Sequence, residues 1–199
     1  VLMTADVVLV KHYLPADAFY ATALEQLETT SAFDLLLGTT AHSVDVRRGA
    51  ARVMTSKGDI RARIAFDGRN DAARWKSAGV FLQHYAGQRV RAASPVFDPG
   101  TMTLMDFDVS QKNGISFVYV LPFSETEALI EPTIFSRTPL STGAYTDLIR
   151  AYLDERFNLQ DYAVLFQEQG VIPMTTTLAP PRRLARVVPL GTGAGMVKG

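Results

Sequence analysis

Cysteine is absent from all 199 residues, which excludes disulfides, thiolate nucleophiles and cysteine-bound metals. Histidine is scarce. His12, His42 and His84 lie far apart with no His-x-x-x-His or Glu-x-x-His spacing, so no metal site is expected. Neither sign of charge is in excess: twenty basic residues balance twenty acidic ones. Without a surplus of Lys and Arg there is no electrostatic reason to expect a nucleic-acid partner. One basic cluster, Arg182, Arg183 and Arg186, is broken by Leu184 and Ala185 and reads as a solvated loop edge. No apolar run approaches the roughly 20 residues that span a bilayer, and no charged start leading into an apolar stretch reads as a signal peptide. The chain opens on Val1 and closes on Val197-Lys198-Gly199, as an excised piece would.

What is present is enough apolar residue, 47% of the chain, to bury a core in one large domain or parts of two. Val7 to Val10 reads as a short strand. After Pro15, a residue tolerated in a first helical turn, Tyr20, Ala23, Leu24 and Leu27 recur at helical spacing. Three short strands then alternate with turn signals: Ser43 to Val46, Arg52 to Thr55, and Ile60 to Phe66, the last stopping at Asp67-Gly68-Arg69-Asn70. A second block begins near Val80. Val80 to Tyr85, Gln88 to Ala92, Met102 to Val109, Ser116 to Phe123, Ala128 to Phe135 and Tyr162 to Val171 read as extended. Gln111-Lys112-Asn113-Gly114 supplies a hairpin turn. Tyr145, Leu148, Ile149, Tyr152 and Leu153 form the apolar stripe of a helix over roughly Gly143 to Phe157. Val187 to Leu190 is a strand entering the Gly-rich turn Gly191-Thr192-Gly193-Ala194-Gly195. The fold class is α/β with α+β character and an excess of strand.

Few positions carry chemistry on residue type alone. In Ala128 to Phe135, alternation sets Leu129, Glu131, Thr133 and Phe135 on one face and Ala128, Ile130, Pro132 and Ile134 on the other. Both faces are largely apolar. A carboxylate sheltered there loses solvation, its pKa rises, and it suits proton donation to a poor base. The other reading is an edge strand where Pro132 spares a ladder bond and Glu131 faces water. Glu168, before Gly170-Val171-Ile172-Pro173-Met174, is a solvated strand end or a second cavity carboxylate. Asp106 and Asp108 alternate with apolar residues as the polar face of a half-exposed strand. The Gly191 to Gly195 turn could approach a phosphate, but it lacks Gly-x-Gly-x-x-Gly spacing. Asp67-Gly68-Arg69 by itself is a turn. No Gly-x-Ser-x-Gly elbow occurs.

Five of these segments together resemble lycopene cyclases. Phe117-Val118-Tyr119-Val120-Leu121-Pro122, followed by Leu129-Ile130-Glu131-Pro132-Thr133, is similar to the family's Phe-x-Tyr-x-Leu-Pro segment and acidic strand. Met105-Asp106-Phe107, Glu168 to Met174 and Gly191 to Lys198 are similar to three further blocks, in the same order, over roughly Val80 to Gly199. The resemblance implies a partial glutathione-reductase-type FAD-binding fold with an antiparallel or mixed substrate-binding sheet. Residues 1–75 and 181–199 would belong to the FAD-binding part and 76–180 to the substrate part. Asp67, Gly68 and Arg69 would approach the flavin at a strand end, and Gly191, Thr192, Gly193, Ala194 and Gly195 would form the second flavin-contacting turn. The motif that holds the ADP half of FAD is missing, so this piece alone is expected to be inactive.

The implied reaction has no net redox change. An acid protonates a terminal double bond of lycopene, an internal double bond attacks the cation to close a ring, and a base removes a proton. Reduced FAD, with NAD(P)H as its reductant, would stabilise the cation. Glu131 matches the first acid of the family's acidic pair. The second is Pro132 here, which leaves Glu168 as the other candidate. A hydrocarbon substrate implies peripheral membrane contact and a cytoplasmic, membrane-associated, bacterial-type enzyme. Related FAD-dependent monooxygenases, halogenases and polyprenyl reductases share the fold and are the alternative, along with a non-catalytic lipid-binding piece.

Overall fold

The computed structural model describes residues 14–30, 32–69, 80–174, 184–194 and 196. The expected strand Val7 to Val10, Arg182, Arg183 and Gly195 lie outside them. Helix α1, Ala16–Glu28, has Pro15 as its N-cap rather than inside its first turn. None of its residues is buried, and Tyr20 of the expected stripe is 63% exposed.

The first sheet is the antiparallel meander β1 (Ala41–Arg47), β2 (Ala50–Thr55) and β3 (Gly58–Ala62). Arg48 and Gly49 join β1 to β2 with φ of 50° and 75°. Positive φ at both positions matches the twist of a two-residue hairpin, and Gly49 takes it without steric cost. The expected strand Ile60 to Phe66 divides. Its first part is β3. Beyond Arg63 and Ile64 its second part, β4 (Ala65–Asp67), pairs in parallel with β10 (Val187–Pro189), Ala65 against Val187 and Asp67 against Pro189.

The second sheet has the order β6-β7-β8-β5-β9. Its members are β5 (Phe81–Ala92), β6 (Thr103–Asp106), β7 (Ile115–Pro122), β8 (Glu127–Ser136) and β9 (Tyr162–Met174). Its hydrogen-bonded pairs are all antiparallel. Two expected segments, Val80 to Tyr85 and Gln88 to Ala92, are one strand, β5, which passes through Ala86-Gly87 without a break. The expected Met102 to Val109 strand is shorter, because Met105 at φ 60° shifts the register with β7. Strand β9 continues three residues past Val171.

Helix α2, Thr142–Phe157, crosses one face of this sheet. The Ser141 side chain accepts the Ala144 N–H at 3.3 Å to cap its start. Asn158, in the left-handed region at φ 49°, ends it. Tyr145, Ile149, Tyr152 and Leu153 turn inward. The core joins Ile149, Tyr152 and Leu153 to Val90, Val118, Val120, Ala128 and Ile130, the face that alternation assigns opposite to Glu131. Within this layer His84 is fully buried. Its Nδ1 lies 2.5 Å from the Tyr145 hydroxyl and its Nε2 2.8 Å from Ser136 Oγ. Ser136 donates its hydroxyl proton to the Thr138 carbonyl at 2.9 Å. Nε2–H therefore donates to Ser136, and Nδ1 accepts from Tyr145.

Candidate functional site

Strand β8 is interior, between β7 and β5, which removes the edge-strand reading of Glu131. Pro132 is accommodated there because the β5–β8 ladder skips it. Pairing runs from Leu82↔Ser136 to Tyr85↔Thr133 and resumes from Gln88↔Ile130 to Arg91↔Glu127. No N–H is needed from Pro132 within the gap. The register on both sides sets Gly87 across from Glu131. On its other flank Gly87 pairs with Glu168 of β9. The two carboxylates thus belong to strands separated by β5, and the residue between them carries no side chain.

The Glu131 carboxyl points to the face away from α2. Tyr119 lies directly across on β7. Thr133, fully buried, donates its hydroxyl to Glu131 Oε1 at 3.3 Å. Burial, the neighbouring charge of Glu168 and a hydrogen bond shared with Glu168 push the Glu131 carboxyl up to about 7, against the pull of Thr133. Around the pair stand aromatic rings. Phe117 meets Tyr119 edge to face at 5.3 Å, and packs against Phe107 at 5.2 Å and Phe135 at 6.0 Å. On β5 the Tyr85 ring lies against Gly170, where any side chain would collide with it. Burial and the charges of Glu131 and Glu168 raise the Tyr85 phenol above its ordinary value, and burial with Glu131 does the same to Tyr119. The arrangement is a half-buried acid held near neutrality in an aromatic surround.

The glycine-bearing turns form a second locus. Adjacent parallel strands β4 and β10 end together, and the Leu190 N–H donates to the Asp67 carbonyl at 2.9 Å. Gly68 follows β4. A short 3₁₀ turn, Gly191–Ala194, follows β10 and includes Thr192 and Gly193. Gly191 has φ 63°, and a Cβ on Gly68 or Gly191 would meet nothing within 4 Å among the described residues. Asp67 and Arg69, by contrast, are closed on each other: Nε and one terminal nitrogen of Arg69 each donate to a different Asp67 oxygen at 2.8 Å. The Arg69 guanidinium holds the Asp67 carboxyl below the usual carboxylate range.

The fold thus brings together Glu131 with Glu168, and Asp67, Gly68 and Arg69 with Gly191 to Ala194. Asp106 and Asp108 serve the fold: Tyr152 donates to Asp106 at 2.9 Å, and Arg156 bonds Asp108 at 2.6 Å. Gly87, Tyr85 and Tyr119 were not read from the sequence as site residues. Only the Gly between the two extended segments of Val80 to Ala92 could have signalled the first. Among the described residues no group of three or more His, Asp or Glu side chains could hold a metal ion, and no helix is long and apolar enough to cross a membrane.

The sequence profile described as "Lycopene cyclase protein" matches residues 16–199. The chain belongs to this family. A lycopene β-cyclase of Pantoea ananas is 37% identical over 139 residues, covering 63% of this chain and 33% of that protein. One from Paracoccus sp. is 38% identical over 77 residues, covering 39% of this chain and 19% of the relative. The chain therefore spans a third or less of the length of these lycopene cyclases. Among solved structures, a geranylgeranyl bacteriochlorophyll reductase-like protein from Thermoplasma acidophilum superposes with a TM-score of 0.63 at 12% identity, over 90% of this chain and 47% of that one. The flavin-dependent monooxygenase PieE, solved with FAD and substrate, gives 0.57 at 13% identity, over 91% and 34%. Glycine oxidase from Geobacillus kaustophilus gives 0.54 at 18% identity, over 86% and 48%. This lycopene cyclase family member thus has the mixed α/β fold of glutathione-reductase-type FAD-dependent oxidoreductases.

Proposed function

We propose that the protein carrying this chain is a lycopene cyclase that closes rings at the ends of lycopene by acid catalysis without net redox change, an intramolecular lyase or isomerase. The carrying observation is the Glu131–Glu168 pair: a half-buried carboxyl that keeps its proton to about pH 7 in an aromatic setting suited to a polyene. Protonated Glu131 donates to a terminal carbon–carbon double bond. An internal double bond attacks the resulting cation and closes the ring. Loss of one ring proton to the carboxylate pair, with Glu168 as the second group, restores the starting count of protons. The faces of Tyr85, Tyr119 and Phe117 are electron-rich and favour a cation close by.

FAD fits the part of its site that this chain supplies. Among the described residues nothing crowds Gly68 or Gly191, which lie at the carboxyl ends of neighbouring parallel strands, where such sheets bind ligands. Asp67, Gly68, Arg69, Gly191, Thr192, Gly193, Ala194 and Gly195 would hold it, with the Asp67–Arg69 fork fixing the turn. Bound and reduced at the expense of NAD(P)H, the flavin would supply electron density to stabilise the cation. In this reading residues 1–75 and 181–199 belong to the FAD-binding part and 76–180 form the substrate sheet. The 199 residues alone, without a Gly-x-Gly-x-x-Gly, are inactive. A water-insoluble substrate implies peripheral contact with the cytoplasmic side of a membrane.

In a host that accumulates lycopene, the protein carrying this sequence is expected to yield cyclic carotene, and its Glu131→Gln variant little. Unchanged cyclic product from the variant removes Glu131 as the acid. Oxidised or saturated products that consume NAD(P)H stoichiometrically favour the related redox enzymes.

A further inference from the structure

Gly87 lies mid-strand in β5, in register with Glu168 on one flank and across from Glu131 on the other. A glycine inside a strand weakens it unless something needs the space. Its φ is not positive, so the backbone conformation admits any residue. What a side chain would meet is close contact: a methyl here would stand 3.0 Å from Glu168 Oε1, 3.1 Å from Glu168 Cγ and 3.1 Å from Leu129 Cδ1, so these side chains would have to give by a few tenths of an ångström. The neighbours of Gly87 on the same face of β5 are the large residues Tyr85 and Arg89, so the gap is a single slot.

We infer that Gly87 is a positioning residue for the acid: its missing side chain is the slot in which the Glu168 carboxyl lies, leaning across β5 toward Glu131. The inference relies on the proposed function only in naming Glu131 the acid. Filling the slot forces Glu168 back toward β9, which separates the carboxyl groups and lessens their coupling. Glu131 then gives up its proton at lower pH.

The test follows the Glu131 carboxyl by carbon-13 NMR in the protein carrying this chain, labelled at glutamate and assigned with Glu131→Gln, alongside the pH dependence of ring formation. Gly87→Ala is expected to lower the Glu131 midpoint, and the alkaline limb of the rate, by about one pH unit, the coupling typical of adjacent carboxyls. Glu168→Gln is expected to lower both as well. The Gly87→Ala/Glu168→Gln double variant is expected to shift no further than Glu168→Gln alone, because the glycine acts through that side chain. An unchanged midpoint in Gly87→Ala, or shifts that add in the double variant, overturns the inference. Where Gly87→Ala does not fold, Glu168→Asp is one methylene short of the same reach. A lowered midpoint there supports the slot and an unchanged one refutes it. The titration does not depend on ring formation, so loss of the acid assignment through an active Glu131→Gln would leave the Gly87 result to stand or fall alone.

Discussion

Glu131 and His84 sit on opposite faces of the five-stranded sheet, and their titrations act on stability with opposite sign. Glu131 binds its proton more tightly folded, to about pH 7, than unfolded, near pH 4.3. Stability from this group is therefore complete below the unfolded value and declines as pH rises through that window. Glu131→Gln removes the decline. We expect the variant to be more stable than wild type above pH 7 by on the order of 1–2 kcal/mol, after discounting for solvent around a half-buried group, and no more stable at pH 4. Urea unfolding at the two pH values measures the difference. Burial pushes the His84 imidazole below its ordinary value, so its contribution is present above about pH 6.5 and fades as pH falls. Tyr145→Phe leaves Nδ1 without its donor, and should cost about 1–3 kcal/mol at pH 8 for a buried acceptor left unpaired. The urea midpoint of that variant checks it.

At the scale of elements, helix α2 makes the plainest prediction. Its inward stripe is buried against the sheet, so Ile149→Ala should cost about 2–5 kcal/mol. Ser141→Ala, which removes the cap, should cost only about 1 kcal/mol. Chemical denaturation separates the two effects. The same contrast explains what was legible in the sequence. Helix α2 and strand β8 were readable because the cause is local: a 3.6-residue stripe in one, a short apolar run whose side chains alternate between faces in the other. That alternation assigned Glu131 to the correct face. Strand β5 was read as two pieces because Ala86-Gly87 carries no pattern, and the reason for the glycine lies on β9, some eighty residues later by the register. The division of Ile60 to Phe66 was equally hidden, because β4 owes its identity to β10. The stripe on α1 produced a helix as read, yet nothing among the described residues covers it. Periodicity reports a helix but not its partner.

At the scale of the whole molecule, the acid pair and the glycine turns are built by separate sheets, so they should fail separately. Gly191→Val, with a β-branched side chain at φ 63°, should release bound flavin from the protein carrying this chain, read as loss of flavin absorbance after gel filtration. The Glu131 midpoint should stay where it was. Loss of both together would mean that the two sheets do not act as independent supports.

The parallel contact of β4 with β10 has a kinetic meaning. Ala65 and Val187 can meet only after roughly 120 intervening residues have drawn their ends together, a closure whose entropic cost grows slowly with length but delays a contact that cannot form locally. Strands β5 to β8 and helix α2, enclosed in that span, close shorter loops. They should be protected from hydrogen exchange early in refolding, while Ala65–Asp67 and the Gly191 turn order last. The five-stranded sheet with its acid pair would mature before the β4–β10 contact and its glycine turn.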